Sequence, residues 1–354
     1  MTKELMTGNA AAAEGAIQAG CRFYYGYPIT PQNEVPAYMS RRMREEGGTF
    51  IQSESELAAI SLVHGTAATG ERVMTSSSSP GISLKQEGIS YLAGSELPAV
   101  ILNVQRAGPG LGDIRPAQSD YFQATRGGGH GDYRVFVLAP AGVQEMFDFV
   151  GDAFDLADTW RMPAMILADG QIGQMMEPIE IVDRPPRADL PPKDWALTGA
   201  ADGRPKRLVK SFFPVIGDLV TFNEHLREKH AKIEAEEVRF EGVQLDDAEI
   251  VIVAYGTVAR VSKEIVRSAR AKGIKAGLLR PITLWPFPKR EIEALAERGA
   301  RFLVVEMSLG QMVEDVRLAV NGRQPVAFFG VAGGAVPTST QIAEGLENAL
   351  NGGA

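Results

Sequence analysis

The chain has 354 residues, with 36 lysines and arginines against 44 aspartates and glutamates, which gives a formal net charge of -8. This length is sufficient for two domains with separate cores, and the acidic balance without a basic stripe argues against a nucleic-acid partner. The sequence shows neither a charged-then-apolar leader nor an apolar run of about 18 residues, which predicts a cytoplasmic protein without a membrane span.

Strand and helix patterns alternate over residues 1–182. The strand-like segments are residues 22–25, 49–52, 72–75, 99–104, 135–138 and 164–167. The helical patterns cover residues 9–19, 32–46, 54–69, 82–93 and 143–159. Such alternation predicts an α/β domain in which helices cover both faces of a parallel sheet.

The alternation of strand and helix patterns stops at residues 183–247. Prolines interrupt a polar stretch there, and a charged run at 225–241 predicts a solvated helix. We interpret this stretch as a connecting segment. A second α/β pattern fills residues 248–354, with strands at 250–255, 275–279, 301–306 and 325–330 and helices at 258–272, 289–297 and 310–321. The sequence therefore predicts two domains, 1–182 and 248–354, of which the second is smaller.

The segment Tyr27-Pro28-Ile29-Thr30-Pro31, called the YPITP segment below, follows the first strand of this pattern. Each proline fixes its own φ and favours an extended conformation in the residue before it. This places the Thr30 hydroxyl at the carboxyl end of a strand, where open parallel sheets bind ligands. An ordinary rigid loop between strand and helix is the alternative.

Glu56 lies in the first turn of a helical pattern, where the helix dipole favours a negative charge. The alternative is a capping box, in which the Glu56 side chain folds back onto the backbone of Ser53. Glu54 competes for any role of a carboxylate because it is only two residues away.

Arg106 follows the strand at 99–104 and enters a glycine-rich loop, residues 108–112. A planar guanidinium at the mouth of a sheet suits a small carboxylate, which it can bind with two hydrogen bonds. The alternative is a surface salt bridge to Asp113 or Asp120.

Two further polar stretches are candidates for binding. The serines of residues 76–81 precede a helix and could bind an anion, although a simple N-cap explains most of them. His130 lies in a second glycine cluster, residues 127–131, and could carry a proton, although a lone histidine in a turn is more often structural.

Several motifs are missing from the sequence. Neither a G-x-G-x-x-G in a strand-turn-helix setting nor a G-x-x-x-x-G-K-[ST] occurs, which argues against a nicotinamide dehydrogenase and a P-loop enzyme. No G-x-S-x-G and no cluster with metal-ligand spacing is present. The single cysteine, Cys21, excludes an internal disulfide and a four-thiolate iron–sulfur or zinc site made by this chain alone.

Six motifs together resemble the alpha subunit of 2-oxoacid:ferredoxin oxidoreductases, of the type that acts on 2-oxoisovalerate or 2-oxoglutarate. They are the YPITP segment and residues 52–59, 76–86, 105–110, 118–122 and 127–133. The resemblance covers nearly the whole chain, because residues 250–286 and 306–311 resemble a transketolase-C-like second domain. The first domain would then be of the pyrimidine-binding type found in thiamine-diphosphate enzymes.

The resemblance implies roles for four residues. Glu56 would hydrogen-bond the aminopyrimidine ring of thiamine diphosphate; its spacing to Gly65 matches the family pattern, whereas that of Glu54 does not. Pro28 and Thr30 would lie against the cofactor and substrate, and Arg106 would bind the carboxylate of the 2-oxoacid. Glu56, Arg106 and Thr30 are thus the expected catalytic residues, and Pro28, Thr30 and Glu56 the expected cofactor contacts.

The resemblance also implies what this chain lacks. The diphosphate and Mg²⁺ require a G-D-G sequence followed by an asparagine, and Ala168-Asp169-Gly170 departs from that motif, so no metal is assigned to this chain. A beta subunit would supply the diphosphate and Mg²⁺ site and a 4Fe-4S cluster. Gamma and ferredoxin-like delta subunits, ferredoxin and coenzyme A are the further expected partners.

Two alternatives stay open. The chain could be a non-catalytic scaffold or docking subunit of the same kind of complex. The substrate also stays undecided, because 2-oxoglutarate requires a second cation, for which Lys85, Arg115 and Arg126 are candidates, whereas a branched 2-oxoacid requires an apolar wall.

Overall fold

A computed structural model describes residues 3–352 of the chain. The predicted ranges 1–182 and 248–354 each include two terminal residues outside this described part. The strands are β1 (Lys3–Thr7), β2 (Phe23–Gly26), β3 (Thr49–Gln52), β4 (Val73–Ser77), β5 (Ala99–Ala107), β6 (Asp113–Pro116), β7 (Phe136–Leu138), β8 (Pro163–Asp169), β9 (Met176–Glu180), β10 (Phe240–Val243), β11 (Ile250–Val253), β12 (Ala276–Pro281), β13 (Thr283–Trp285), β14 (Arg301–Glu306) and β15 (Val326–Gly330).

The helices follow the predicted alternation closely. They are α1 (Gly8–Gln18), α2 (Glu34–Glu45), α3 (Glu56–Ala68), α4 (Ser79–Gly94), α5 (Tyr121–Thr125), α6 (Val143–Trp160), α7 (Gly170–Gln174), α8 (Asp218–Glu236), α9 (Gly256–Ala271), α10 (Lys289–Glu297), α11 (Met312–Val320) and α12 (Ser339–Leu350). No helix within residues 3–352 is both long and apolar enough to cross a membrane.

The larger sheet has the order β13-β7-β8-β5-β4-β2-β3, in which the strands from β7 to β3 are mutually parallel. Every residue of the central strands β5 and β8 is buried, because helices cover the sheet on both sides. Right-handed crossovers place α2 and α6 on one face and α3 and α4 on the other. In agreement, α1 packs against α2 and α6, whereas α3 packs against α4.

The smaller sheet has the order β10-β12-β11-β14-β15 and is parallel except for the edge strand β10. A separate apolar core forms around β11, β12 and β14 and includes Ile252, Leu278 and Leu303. The predicted fold class, two α/β units built on parallel sheets, is thus confirmed.

Two strands cross the predicted domain boundaries. The strand β10 belongs to the predicted connecting segment, yet it pairs with β12 in the smaller sheet. The strand β13 belongs to the predicted second domain, yet it pairs with β7 in the larger sheet. Each is only three or four residues long, so neither carries a recognisable alternation. The division at residues 182 and 247 stays a prediction.

The helix of the connecting segment differs from its prediction. We expected a solvated helix at 225–241, but α8 begins at Asp218 and ends at Glu236. The helix α8 has one buried face, which contains Leu226, Lys229 and Ile233. The Lys229 ammonium reaches Glu96 at 2.7 Å, which fixes the helix to the larger unit.

Candidate active site

The carboxyl ends of β2, β3, β4, β5 and β8 meet at one edge of the larger sheet, because these strands are parallel. The chain runs outward from β2 to β3 and then crosses back to β4, β5 and β8 on the other side of β2. The order of strands therefore reverses between β2 and β4. Ligands bind in the crevice outside such a reversal point in open α/β sheets.

The YPITP segment follows β2 directly and lies at this reversal point. Pro28 is exposed and Thr30 is half-buried. The Thr30–Pro31 peptide is cis, and the Asn9 side-chain amide donates to the Pro31 carbonyl at 2.8 Å. The Thr30 hydroxyl accepts from Asn33 Nδ2 at 3.1 Å. These hydrogen bonds thus hold the YPITP segment in place, while Pro28 and part of Thr30 stay accessible.

Glu56 is the first residue of α3 and only 6% exposed. The alternative, a capping box between Glu56 and Ser53, is wrong, because the N-cap is Ser55, whose hydroxyl accepts from Ala58 N at 3.2 Å. The Ser53 N–H instead donates to the Gly26 carbonyl at 2.9 Å. The Glu56 carboxylate accepts no hydrogen bond from another residue in 3–352, so it is available to a ligand.

Gly81 gives the Glu56 side chain its space. A Cβ atom on Gly81 would lie 2.6 Å from Glu56 Oε1 and 2.1 Å from Ser77 Oγ. Both distances are far below van der Waals contact, so a larger residue at position 81 would displace the Glu56 carboxylate and the Ser77 hydroxyl. The carboxylate therefore packs directly against the first turn of α4.

Arg106 is part of β5, which extends to Ala107 and not to residue 104 as expected. Its guanidinium donates to the carbonyl of Thr30 at 3.0 Å and to that of Leu111 at 3.1 Å. The alternative, a salt bridge from Arg106 to Asp113 or Asp120, is wrong, since Asp113 pairs with Arg115 and Asp120 bonds Ser79 and Asn103. Arg106 thus joins the YPITP segment to the glycine-rich loop.

The Nε atom of Arg106 and several hydroxyl groups at this edge are buried without a hydrogen-bond partner in the described chain. The hydroxyls belong to Ser53, Ser77 and Ser78. Ser78 is the N-cap of α4 but makes no side-chain cap bond, so the simple capping explanation of the serine stretch is wrong. Buried polar groups without partners are uncommon in native proteins, and their concentration here indicates a site that a ligand or another chain completes.

Asp169 of the degenerate Ala168-Asp169-Gly170 sequence has a different role. It caps α7 through Ile172 N and accepts from the N–H and hydroxyl of Thr257 at 2.8 and 2.6 Å. Burial raises the pKa of the Asp169 carboxyl. Its oxygens therefore join the two units of the chain, and residues 3–352 contain no group of three or more His, Cys, Asp or Glu side chains that could hold a metal.

The remaining candidates are Arg115, Arg126, Lys85 and His130. Arg115 is exposed and paired with Asp113, whereas Arg126 lies over Phe122 and pairs with Glu314 and Asp315. Lys85 is fully buried below the site. His130 is exposed, and its backbone carbonyl accepts a hydrogen bond from the Ser90 hydroxyl at 2.6 Å.

The arrangement of these side chains fits the aminopyrimidine half of thiamine diphosphate, the expected cofactor. An unpaired carboxylate at the start of α3, packed on glycine, suits a ring nitrogen that carries a proton, and the unpaired serine hydroxyls offer further contacts. Asp169, the aspartate of the degenerate motif, is already bonded to Thr257. The structure brings Thr30 and Arg106 into direct contact, while Glu56 lies at the same edge beside the first turn of α4.

The comparison with known proteins agrees with this geometry. Residues 14–243 match the family model for the thiamine-diphosphate-binding part of pyruvate flavodoxin/ferredoxin oxidoreductase, and residues 248–342 match that for core domain II of pyruvate:ferredoxin oxidoreductase. The chain belongs to the 2-oxoacid:ferredoxin oxidoreductase family. The predicted resemblance is confirmed.

Members of this family include two kinds of similar subunit. The chain is 53% identical over 334 residues to the ketoisovalerate oxidoreductase subunit VorB of Methanothermobacter marburgensis, with 94% of each chain covered. It is 39% identical over 368 residues to the 2-oxoglutarate synthase subunit KorA of Methanothermobacter thermautotrophicus, with 97% of this chain and 98% of the relative covered.

Solved structures share the fold. A chain of 2-oxoglutarate:ferredoxin oxidoreductase from Magnetococcus marinus, solved with 2-oxoglutarate, coenzyme A and succinyl-CoA bound, gives a TM-score of 0.85 at 24% identity. The match covers 98% of this chain but 65% of that one. A split-gene transketolase in an inactive beta4 tetramer gives a TM-score of 0.60 at 13% identity, with 97% of both chains covered.

Proposed function

We propose that this chain provides the aminopyrimidine-facing half of a thiamine-diphosphate site in an enzyme that converts a 2-oxoacid, coenzyme A and two oxidised ferredoxins to an acyl-CoA, CO₂, a proton and two reduced ferredoxins. The observation that carries the proposal is the Glu56 carboxylate, buried at the reversal point of the sheet and free of hydrogen bonds within the described chain. The family membership supports it.

Thiamine diphosphate, when bound, supplies the carbon nucleophile for the 2-oxo group and accepts the electrons that decarboxylation leaves behind. Glu56 would accept a hydrogen bond from the protonated ring nitrogen and thereby favour the imino form of the aminopyrimidine. The positive end of the α3 dipole lies at this position and favours a negative charge there. Pro28 would pack on the cofactor, and Thr30 would direct its hydroxyl to cofactor and substrate.

Arg106 would bind the substrate carboxylate. Two of its N–H groups hold the carbonyls of Thr30 and Leu111, and these bonds fix the plane of the guanidinium. The buried Nε–H has no partner within residues 3–352, and a substrate carboxylate could supply one to the guanidinium in this fixed orientation. Such preorganisation lowers the cost of binding a planar anion.

We propose a branched 2-oxoacid of the 2-oxoisovalerate type as the substrate. Of the three candidate second cations, Arg115 and Arg126 are paired with their own carboxylates and Lys85 lies buried below the site. The higher identity to the ketoisovalerate subunit supports the same choice. A panel of 2-oxoacids with coenzyme A and methyl viologen tests it; a preference for 2-oxoglutarate would reverse the assignment.

The site requires a second chain. A beta subunit would supply the diphosphate and Mg²⁺ site and a 4Fe-4S cluster, with gamma and delta subunits and ferredoxin as further partners. Exposed apolar side chains occur in the segments that follow these strands, including Tyr27, Leu57 and Leu111, which are 37%, 50% and 82% exposed. Such a concentration at one edge is typical of a protein interface.

The experiment that tests the function replaces Glu56 with Gln in the assembled complex. We expect assembly to persist and 2-oxoacid-dependent viologen reduction to fall by a factor of a hundred or more, on the order of 2.7 kcal/mol. Glu54→Gln is the matched control, because Glu54 is exposed and two residues away. Unchanged turnover of Glu56→Gln would favour the scaffold alternative.

A further inference from the structure

The motif at residues 118–122 is one of the six in the sequence, and the proposed chemistry gives it no role. Asp120 lies at the N-cap position of α5, yet its side chain makes no cap bond. Its Oδ2 atom instead accepts from the Ser79 hydroxyl at 2.6 Å and from the Asn103 amide at 2.9 Å. An aspartate at an N-cap normally stabilises its own helix. Asp120 is turned away from that role and holds groups on α4 and β5.

Ser79, the first residue of α4, connects Asp120 to Arg106. The Ser79 hydroxyl accepts from the Arg106 N–H at 3.0 Å. It also lies 3.2 Å from the Arg106 carbonyl, but its single hydrogen points to the closer Asp120 oxygen at 2.6 Å. A hydroxyl can donate and accept at the same time. Asp120 therefore sets the direction in which the lone pairs of Ser79 face the backbone of Arg106.

Arg106 is thus held at both ends of its side chain. The carbonyls of Thr30 and Leu111 hold its guanidinium, and Ser79 holds its main chain. A guanidinium binds a planar carboxylate with two hydrogen bonds only when the two planes are aligned. A shift of the main chain at the base of this side chain would change that alignment without removing the charge.

The smaller unit holds the backbone on either side of Asp120. The Gln311 side chain donates to the Ser119 carbonyl at 2.7 Å and accepts from the Phe122 N–H at 2.8 Å. The Asp120 N–H itself donates to Gln105 Oε1 at 3.1 Å. Asp120 therefore has anchors in both units, and its carboxyl group is in place before a ligand binds.

We propose that Asp120 is a positioning residue for the 2-oxoacid carboxylate: through Ser79 it holds Arg106 in the orientation that binds this anion. The proposal rests on the proposed binding role of Arg106. Asp120 acts here as an acceptor through Oδ2, and its Oδ1 atom makes no hydrogen bond within residues 3–352. An asparagine can present its amide oxygen to Ser79 and Asn103 in the same way. Asp120→Asn should therefore keep the contact that Asp120→Ala loses.

The test uses the assembled complex and measures KM for the 2-oxoacid that the substrate panel selects. It also measures, by calorimetry, the affinity for the 2-hydroxyacid with the same carbon chain, which keeps the carboxylate but has no 2-oxo group to react. We expect Asp120→Ala and Ser79→Ala to weaken both by about five-fold or more, and Asp120→Asn to stay within about two-fold of the parent. KM for coenzyme A and the affinity for thiamine diphosphate should not change. Ser83→Ala is the matched control, because Ser83 is exposed one turn further along α4 and its hydroxyl bonds Gln123.

A double-mutant cycle shows whether Asp120 acts through Arg106. Asp120→Ala should weaken binding of the hydroxyacid by less than about two-fold when Arg106 is already Ala. An equal loss in both backgrounds, a parallel loss of thiamine-diphosphate affinity, or a failure of Asp120→Asn to restore binding would overturn the proposal. An unchanged KM in Arg106→Ala alone would refute the binding role of Arg106, and this proposal with it, whatever the Asp120 variants show.

Discussion

The burial of Lys85 predicts that the stability of this chain depends on pH in an unusual direction. A lysine has a pKa of 10.5 in its ordinary state, whereas burial lowers that of Lys85 to about 7. The unfolded state therefore binds more protons than the folded state between these two values. The free energy of unfolding must rise with pH across this window, because the penalty of burying the ammonium is full below pH 7 and disappears above pH 10.5.

The shift from 10.5 to about 7 corresponds to a total penalty on the order of 5 kcal/mol. Since Lys85 is 0% exposed, screening by solvent does not reduce this figure. Only part of the penalty is released in an accessible range. Between pH 7 and 9 the same two pKa values give a gain of about 2 kcal/mol.

The measurement is urea unfolding of the full-length chain at pH 7, 8 and 9, for the parent and Lys85→Met. We expect the parent to gain about 2 kcal/mol relative to the variant across this range. Lys272→Met is the matched control, since the Lys272 side chain is 64% exposed and should leave the pH dependence of the parent unchanged. A constant difference between parent and Lys85→Met would mean that the ammonium is solvated, and would refute the reasoning about its burial.

Two further predictions concern the site. Arg106→Ala in the assembled complex should raise KM for the 2-oxoacid and lower kcat/KM at least ten-fold, on the order of 1.4 kcal/mol, with KM for coenzyme A unchanged. A parallel rise in both KM values would indicate a structural role. Arg115→Ala is the control. Gly81→Ala should weaken thiamine-diphosphate binding at least ten-fold, because its methyl group would fall 2.6 Å from Glu56 Oε1. Gly94→Ala in the same helix, whose methyl group would approach Ser211 Cβ at 3.3 Å, should bind normally, and an equal loss in both variants would argue against a specific clash.

The fold was largely predictable because its strands and helices are strongly patterned. The helix α10 has its predicted bounds, 289–297, and β14 has its predicted bounds, 301–306. The strand β5 was predicted too short, because its last residues include Gln105 and Arg106, and polar side chains at the end of a buried strand look like a loop. The helix α12 was missed, although Thr338 and Gln341 form a capping box at its start.

The site was only partly predictable because sequence spacing does not show which helices touch. Thr30 and Arg106 were chosen separately, and their direct hydrogen bond depends on the strand order of the sheet. Lys85 was considered only as a possible substrate contact, since nothing in the linear sequence shows that its face of α4 is buried. The unpaired hydroxyls of Ser77 and Ser78 could likewise be recognised only in three dimensions.

The joint between the two units already uses the aspartate that a metal site in this chain would need. Asp169 is the nearest equivalent of a metal-binding aspartate, yet its two oxygens hold Thr257 of α9. Beside it, the Gln118 side chain donates to the Tyr255 carbonyl and accepts from Met307 N. A metal ligand at Asp169 would therefore have to give up its hydrogen bonds to Thr257. A designer who wished to build a one-chain enzyme from this scaffold would have to replace that joint first.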